Sequence, residues 1–348
     1  VETLESAAGG PEKGENSMSK IAGFHRRGVL RAGAFGVLGL IGAQPALAQA
    51  NAHFARGKRF QIIVAGSAGS GVDITARFLG SALEKEFPGT SFQVVNRPGA
   101  GVQVGLQALA DAPRDGYSFG LVSLPTAITV VLDTARRAGF TRDSFLAIAN
   151  FSYDAGAIAV RADSPYKSLN DLIEAAKAKP KERTVGVVGP RGREHLDVIA
   201  MEQGSGASFT PVFHNDSSLA LNTLLGGNID AVQGSVGDFV TQVRAGRVKV
   251  LAVFDHQESV FAPGVATAEA QGFRIYTGTS RGFAFPAGVD PALAATLSAA
   301  IGKVANAPDQ RAKLQEMSIE VRYMDQNQYG AYWTGETQRV ADLMAKIP

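Results

Sequence analysis

The stretch "FQIIVAGSAGSGVDITARFLGSALEKEFPGTSFQVVN", Phe60 to Asn96, decides the fold class of this chain. Its first run, Phe60 to Gly66, is apolar, short and β-branched, which predicts a buried strand. A glycine- and serine-rich loop follows. Beyond it Ile74, Phe78, Leu79 and Leu83 recur at helical spacing and define one apolar face. Ser91 to Asn96 is the next strand. Working outward, "RPGAG" is a turn, "VQVGLQALADA" a second helix and Tyr117 to Ser123 a third strand. Strand, loop and helix in repetition predict an α/β fold with a parallel sheet covered by helices.

A similar unit starts near Ala157. "AIAVRAD" reads as a strand, and "SLNDLIEAAKAKP" as a helix with Ser168 at its N-cap and Asp171 in its first turn. Thr184 to Gly189 is a strand that ends in a Gly-Pro-Arg-Gly loop. "HLDVIAMEQGSG" is a helix that stops at glycine, and "LALNTLLGGNIDAVQGS" is helix, turn and strand. Val248 to Phe254 and "SRGFAFP" add two strands. Helices are expected over Pro291 to Ala305, Asp309 to Met317 and Gln328 to Met344.

The N-terminal region has a different character. Lys20, His25, Arg26, Arg27 and Arg31 precede a 17-residue apolar run, Ala32 to Ala48. The run ends in Ala46-Leu47-Ala48, an A-x-A cleavage pattern, so a signal peptide over about 18–48 is expected, cut after Ala48. The run is at the lower limit for a membrane span, and Pro45 interrupts it. "HRRGVLRAG" looks like a twin-arginine export signal. The stretch before Met18 is polar, which makes Met18 a candidate first residue.

The remaining 300 residues suffice for two domains with sizeable cores. Lys and Arg number 34 against 32 Asp and Glu in the whole chain, and residues 1–48 hold five of the basic and four of the acidic ones. The exported part is therefore near neutral, and no basic stripe points to nucleic acid. Cysteine is absent, which excludes a disulfide and a thiolate nucleophile.

Ligands of open parallel sheets bind beyond the carboxyl ends of the strands, and four segments fall there. In "GSAGSGVD" (66–73) the glycines permit close approach, Ser67 and Ser70 can donate to an anion, and Asp73 can cap or hold the loop. In "NRPGAGVQVG" (96–105) the glycine spacing departs from the dinucleotide fingerprint. Gly101, Val102 and Gln103 can present backbone N–H groups and an amide to a carboxylate, while Gly105 allows a helix to pack closely. Ser123 and Thr126 follow the third strand. In "GPRGREHLD" (189–197) Arg191 or Arg193 can pair with a carboxylate, and His195 opens a helix. No G-x-S-x-G, H-E-x-x-H or phosphate-loop motif occurs, and the histidines are widely spaced. No catalytic residue, cofactor or metal is expected.

These residues resemble the tripartite tricarboxylate transporter substrate-binding proteins, also called the Bug receptors, from about Phe60 to the C-terminus. "VVNRPGAGVQVGLQALADAPRDGYSFGLVS" carries the resemblance most strongly, with "HLDVIAMEQG", "LLGGNIDAVQGSVGDFVTQVRAGRVKVLAV" and "FAFPAGVDPAL" in the family's order. The resemblance implies a type II-like, two-lobed periplasmic binding fold, each lobe a sheet flanked by helices, with the ligand cleft between. It implies lobe 1 over 55–156 plus 276–348 and lobe 2 over 157–275, with crossings near 153–157 and 271–276. It implies a small organic acid or amino-acid-like solute, delivered to a membrane permease of one large and one small subunit by a monomeric receptor.

By the same analogy Ser67, Ala68, Gly69, Ser70 and Asp73, with Gly99, Ala100, Gly101, Val102 and Gln103, hold a carboxylate. Ser123 and Thr126 match a third contacting segment, His195 a place beside the cleft, and Ser235 and Asp238 a later cleft loop. The chain departs from the family at Ala65-Gly66-Ser67, at Val212-Phe213-His214-Asn215 and at Arg281, where an aromatic is common. Arg281 and Arg191 are candidates to meet a more acidic ligand. A receptor that signals to a membrane histidine kinase, and a cleft enzyme acting on a small organic acid, are the alternatives.

Overall fold

The structure is a computed structural model and describes residues 53, 54 and 57–347. The expected export segment lies outside the described residues.

Strand β1 (Arg59–Val64) buries Phe60, Ile62, Ile63 and Val64 and lies between two parallel neighbours. These are β2 (Ser91–Asn96), with Ile62 opposite Val94, and β3 (Ser118–Leu124), with Ile63 opposite Gly120. Helix α1 (Gly71–Glu86) links β1 to β2, and α2 (Gln103–Ala110) links β2 to β3. Helix α3 (Thr126–Leu132) then leads to β4 (Phe145–Arg161), a strand of 17 residues.

The second unit runs α4 (Leu169–Ala178), β5 (Thr184–Val188), α5 (Arg193–Ser205), β6 (Thr210–His214) and α6 (Ser217–Leu225). It continues with β7 (Ala231–Ser235), α7 (Val236–Arg244) and β8 (Val248–Val253). Strand β9 (Gly278–Pro286) returns to the first unit. Helices α8 (Pro291–Asn306) and α9 (Pro308–Glu316), strand β10 (Val321–Met324) and helix α10 (Gln326–Met344) follow.

Among the described residues all ten strands join one sheet, ordered β2-β1-β3-β9-β4-β7-β5-β6, with β8 and β10 also paired to β4. The sheet is mixed, which corrects the expectation of a parallel one. Strand β4 leaves the first half and β9 comes back into it. The two must therefore run in opposite directions, and β9 is antiparallel to both β3 and β4. Strand β4 changes partners midway. As far as Ala155 it pairs with β9, and from Gly156 onward with β7 and β8.

Each half of the sheet is covered on both faces. In the first half Leu79, Leu83, Leu297 and Ile301 pack on Phe60, Phe119, Phe283 and Phe285. On the opposite face Leu106, Ile128, Tyr329, Trp333 and Val340 form a second core. In the second half Leu172, Val187, Met201 and Phe254 cluster on one face, and Leu224, Ile229, Val232 and Phe239 on the other. Leu196 of α5 crosses this division. It is 1% exposed and buried in the cluster that holds Trp333 and Val340 of α10. Burying one such leucine contributes about 2 kcal/mol. The two halves therefore share part of a core. An ion pair also joins them, from Arg322 of β10 to Asp255 beyond β8, with the guanidinium 4.2 Å over the ring of Tyr153.

Local signals act as expected in several places. Ser168 accepts the Asp171 N–H at 3.1 Å and the Asp171 carboxylate accepts the Ser168 N–H, which caps α4. Helix α5 ends at Gly206 in the left-handed region, φ 73°.

Candidate functional site

The loop after β1 is built around Asp73, which is 2% exposed. Its carboxylate accepts the Gly69 N–H at 2.8 Å, Arg77 Nε at 2.9 Å and Asn96 Nδ2 at 2.9 Å. Asn96 also donates to the Gly66 carbonyl at 2.9 Å, which ties the loop to the end of β2. The hydrogen bond from Arg77 is the main reason that the Asp73 carboxyl lies low, at about 2. Ser70 Oγ donates to the Ser67 carbonyl at 2.7 Å. The side chain of Asp73 thus frames the loop from within. Ser67, Ala68 and Gly69 are exposed on it.

The loop after β2 has four successive residues with positive φ: Gly99 (137°), Ala100 (46°), Gly101 (56°) and Val102 (72°). Two of them are not glycine, and each costs about 1 kcal/mol in that region. Arg136 holds the strained turn from outside. Its Nη1 donates to the Ala100 carbonyl at 3.1 Å, and the Gln103 amide donates to the Arg136 carbonyl at 3.1 Å. The turn lets α2 sit hard on the root of the first loop. A Cβ at Gly105 would stand 2.4 Å from Ala65 Cα, so only glycine fits.

The two loops meet over a small cavity of about 30 Å³ lined by Ala65, Val72, Val102, Leu106, Leu121 and Ser123. It has room for one water. Among the described residues the N–H groups of Ala68, Gly101 and Val102 have no intramolecular acceptor. The first turn of α1 adds the unpaired donors of a helix N-terminus. This is an arrangement of donors suited to an anion.

Arg281 stands on β9 beside this site. In register it is opposite Ser123 of β3 on one side and Ser152 of β4 on the other. Its Nη2 is 3.9 Å from the place that a Cβ of Gly71 would take, and 3.4 Å from Asp154 Oδ2. Its Nε is buried, with no hydrogen-bond partner among the described residues. Thr126 is half-buried at the first position of α3, and its carbonyl accepts from Thr129 Oγ1 at 2.9 Å.

The candidates of the second half have partners within the protein. Arg193 is buried and spends its guanidinium on Asp197 (2.6 Å), Glu194 (2.8 Å) and Ser235 Oγ (3.2 Å). Burial pushes Asp197 up to about 6. Ser235 and Asp238 form a capping box on α7, in which the Asp238 carboxylate accepts the Ser235 N–H at 2.8 Å. Burial raises the Asp238 carboxyl as well. His195 Nδ1 accepts the Arg191 N–H at 3.1 Å, which places the ring proton on Nε2. Burial and then Arg191 lower its pKa. His195 packs edge-on against Phe213, with centroids 5.0 Å apart, and lines an open groove of about 480 Å³ with Lys181, Glu202, Phe209 and Lys346. Arg191 is left-handed (φ 61°) and places Nη1 3.7 Å from Asp133 of the first half.

Asp133, Arg136 and Asp154 are absent from the sequence-based candidates. Asp154 did carry a signal, as the one acid of β4, whose only other charge is its last residue, Arg161.

An α/β fold with a central sheet flanked by helices and glycine-rich loops at the strand ends is that of the periplasmic solute-binding proteins. The chain belongs to the tripartite tricarboxylate transporter family receptors, whose family model matches residues 76–348. The matched stretch begins just after the first loop. The chain is 25% identical over 327 residues to a Cupriavidus necator protein, the "UPF0065 protein in gbd 5'region", covering 92% of this chain and 97% of that one. It is 27% identical over 241 residues to protein BugT of Bordetella pertussis, covering 68% and 73%. A ligand-free TctC solute-binding protein from Polaromonas superimposes with a TM-score of 0.75 at 27% identity, covering 84% of this chain and 99% of that one.

Proposed function

We propose that this receptor captures a small carboxylated solute and delivers it to a tripartite tricarboxylate-type membrane transporter with one large and one small permease subunit. The observation that carries the reading is the set of unengaged N–H groups of Ala68, Gly101 and Val102 on two loops packed together at Gly105. A carboxylate there accepts backbone donors, faces the N-terminus of α1 and lies within reach of Arg281. Preorganised donors of this kind bind an anion without first paying to order themselves.

Lobe 1 is assigned residues 55–156 plus 276–348 and lobe 2 residues 157–275. Solute closes one on the other about the β4–β9 crossing. Ser123 and Thr126 contribute hydroxyls from lobe 1. Arg191 and His195 approach from lobe 2, where Ser235 and Asp238 shape the wall. The site needs no nucleophile, and turnover of the solute is not part of this function. The monomeric receptor reaches the periplasm through its twin-arginine signal.

The test is isothermal titration of the protein with di- and tricarboxylates, aromatic acids and amino acids, together with native mass spectrometry of receptor purified from periplasm. A captured carboxylic acid, released unchanged and bound at least tenfold more weakly after Arg281→Ala, supports the reading. A captured solute without a carboxylate overturns it.

A further inference from the structure

We infer that the solute carries an ammonium group as well as a carboxylate, and that Asp154 is the residue that selects for it. The inference rests on the carboxylate reading above and adds to it the charge of the opposite wall.

Asp154 lies on β4 at the partner switch, where the strand passes from one half of the sheet to the other. Its oxygens are 3.6 and 3.7 Å from the place a Cβ of Gly237 would take, so the carboxylate stands at the start of α7. Arg281 Nη2, 3.4 Å from Asp154, also lies 3.9 Å from the place a Cβ of Gly71 would take at the start of α1. Asp154 therefore stands between the donor loops of one half and the α7 wall of the other.

Its charge is met at one oxygen only. Arg281 Nη2 forms an ion pair with Oδ2 at 3.4 Å, and among the described residues Oδ1 accepts no hydrogen bond. The carboxylate is 24% exposed, so it has lost part of its hydration while one oxygen still lacks a donor. Arg193, the other cation nearby, is already shared among Asp197, Glu194 and Ser235. Asp238 next to Gly237 adds a further acid. A cation from outside the chain satisfies this wall.

Arg281 completes the pattern. Its Nε is buried and, among the described residues, unpartnered, while its Nη2 faces Asp154. One guanidinium thus adjoins both the carboxylate site and Asp154. A solute with an acid and an amine a few bonds apart fills both places at once. A plain dicarboxylate sets its second charge against Asp154 and loses affinity by repulsion. An α-amino acid or a short amino-dicarboxylic acid fits; an aromatic monoacid leaves Asp154 unmet.

The test compares matched probes that differ only in the amine: L-aspartate with succinate, L-glutamate with glutarate, and L-alanine with propionate. Calorimetry is run on wild type, Asp154→Asn and Asp154→Glu, with the fold of each checked by circular dichroism. One amino acid at least is expected to bind tenfold or more tightly than its partner lacking the amine. Asp154→Asn should reduce that preference to about twofold, and Asp154→Glu should keep it. The solute captured from periplasm is identified in parallel. Equal binding within every pair, or a captured acid without a basic nitrogen, overturns the ammonium inference and leaves the carboxylate reading standing. Binding of amines without a carboxylate, such as ethanolamine, as tightly as amino acids overturns the carboxylate reading. If no probe binds and no solute is captured, both are wrong.

Discussion

Arg191, on the loop after β5, reaches across to Asp133 at the end of α3, with 3.7 Å between guanidinium and carboxylate. The contact joins the second half of the sheet to the first beside Arg136, which also holds the strained 99–102 turn. Arg191 is 47% exposed on its side chain, so the pair adds no more than about 1 kcal/mol to stability. Its effect is expected in kinetics instead. Arg191→Ala should leave the melting temperature within about 2 °C of wild type and speed solute release several-fold in stopped-flow displacement. High salt should speed release in wild type and have little effect in the variant.

Asp73 governs the first loop through its three donors. Asp73→Ala removes charge-assisted hydrogen bonds to Arg77, Asn96 and Gly69 and should cost about 2 kcal/mol. Chemical denaturation measures the loss, and titration should show weaker solute binding.

The pH dependence of this group follows from its depressed pKa. Its contribution is fully present above the unfolded value of 3.8 and is lost as pH falls toward about 2. Wild type should lose stability faster than Asp73→Ala across that window. Parallel curves would show that the carboxylate is not held as described.

Gly105 sets how closely α2 approaches β1. Gly105→Ala puts a methyl group 2.4 Å from Ala65 Cα, and backbone cannot yield there as a side chain can. A cost of about 1–3 kcal/mol is expected. The shift also separates the two donor loops, so affinity should fall more than stability alone explains. Crystals of the variant should show the 65–70 and 99–102 loops moved apart.

Leu196 couples the halves. Leu196→Ala should cost about 3 kcal/mol, as for a buried leucine. Hydrogen exchange should become faster in α10 as well as in α5. A change confined to α5 would contradict the shared core.

The first half of the fold was legible because its strands and helices alternate with clear periods from Phe60 to Leu124. Strand β4 was not. It begins at Phe145, twelve residues before the expected start at Ala157. A strand buried on both faces has no alternation to betray it. The polar residues Asn150, Ser152 and Asp154 also break the apolar run that marks such strands. Strand β6 was missed for the opposite reason: it is a five-residue edge strand with Pro211 inside and Phe213 exposed.

In the site, the two glycine loops could be read from residue type alone. The closeness of Arg281 and Asp154 could not, because it depends on register between strands 127 positions apart. Nor does sequence distinguish Arg193, sealed among its own acids, from Arg191 in solvent.

The crossing strands have a mechanical consequence. β4 and β9 pass between the halves while hydrogen-bonded side by side, from Phe145–Pro286 to Ala155–Gly278. A pair of bonded strands bends and twists as a ribbon but resists shear within its plane. The halves are joined as by a leaf spring rather than a free pivot. If solute closes the halves as proposed, closure flexes this one element, and release works with or against its stiffness.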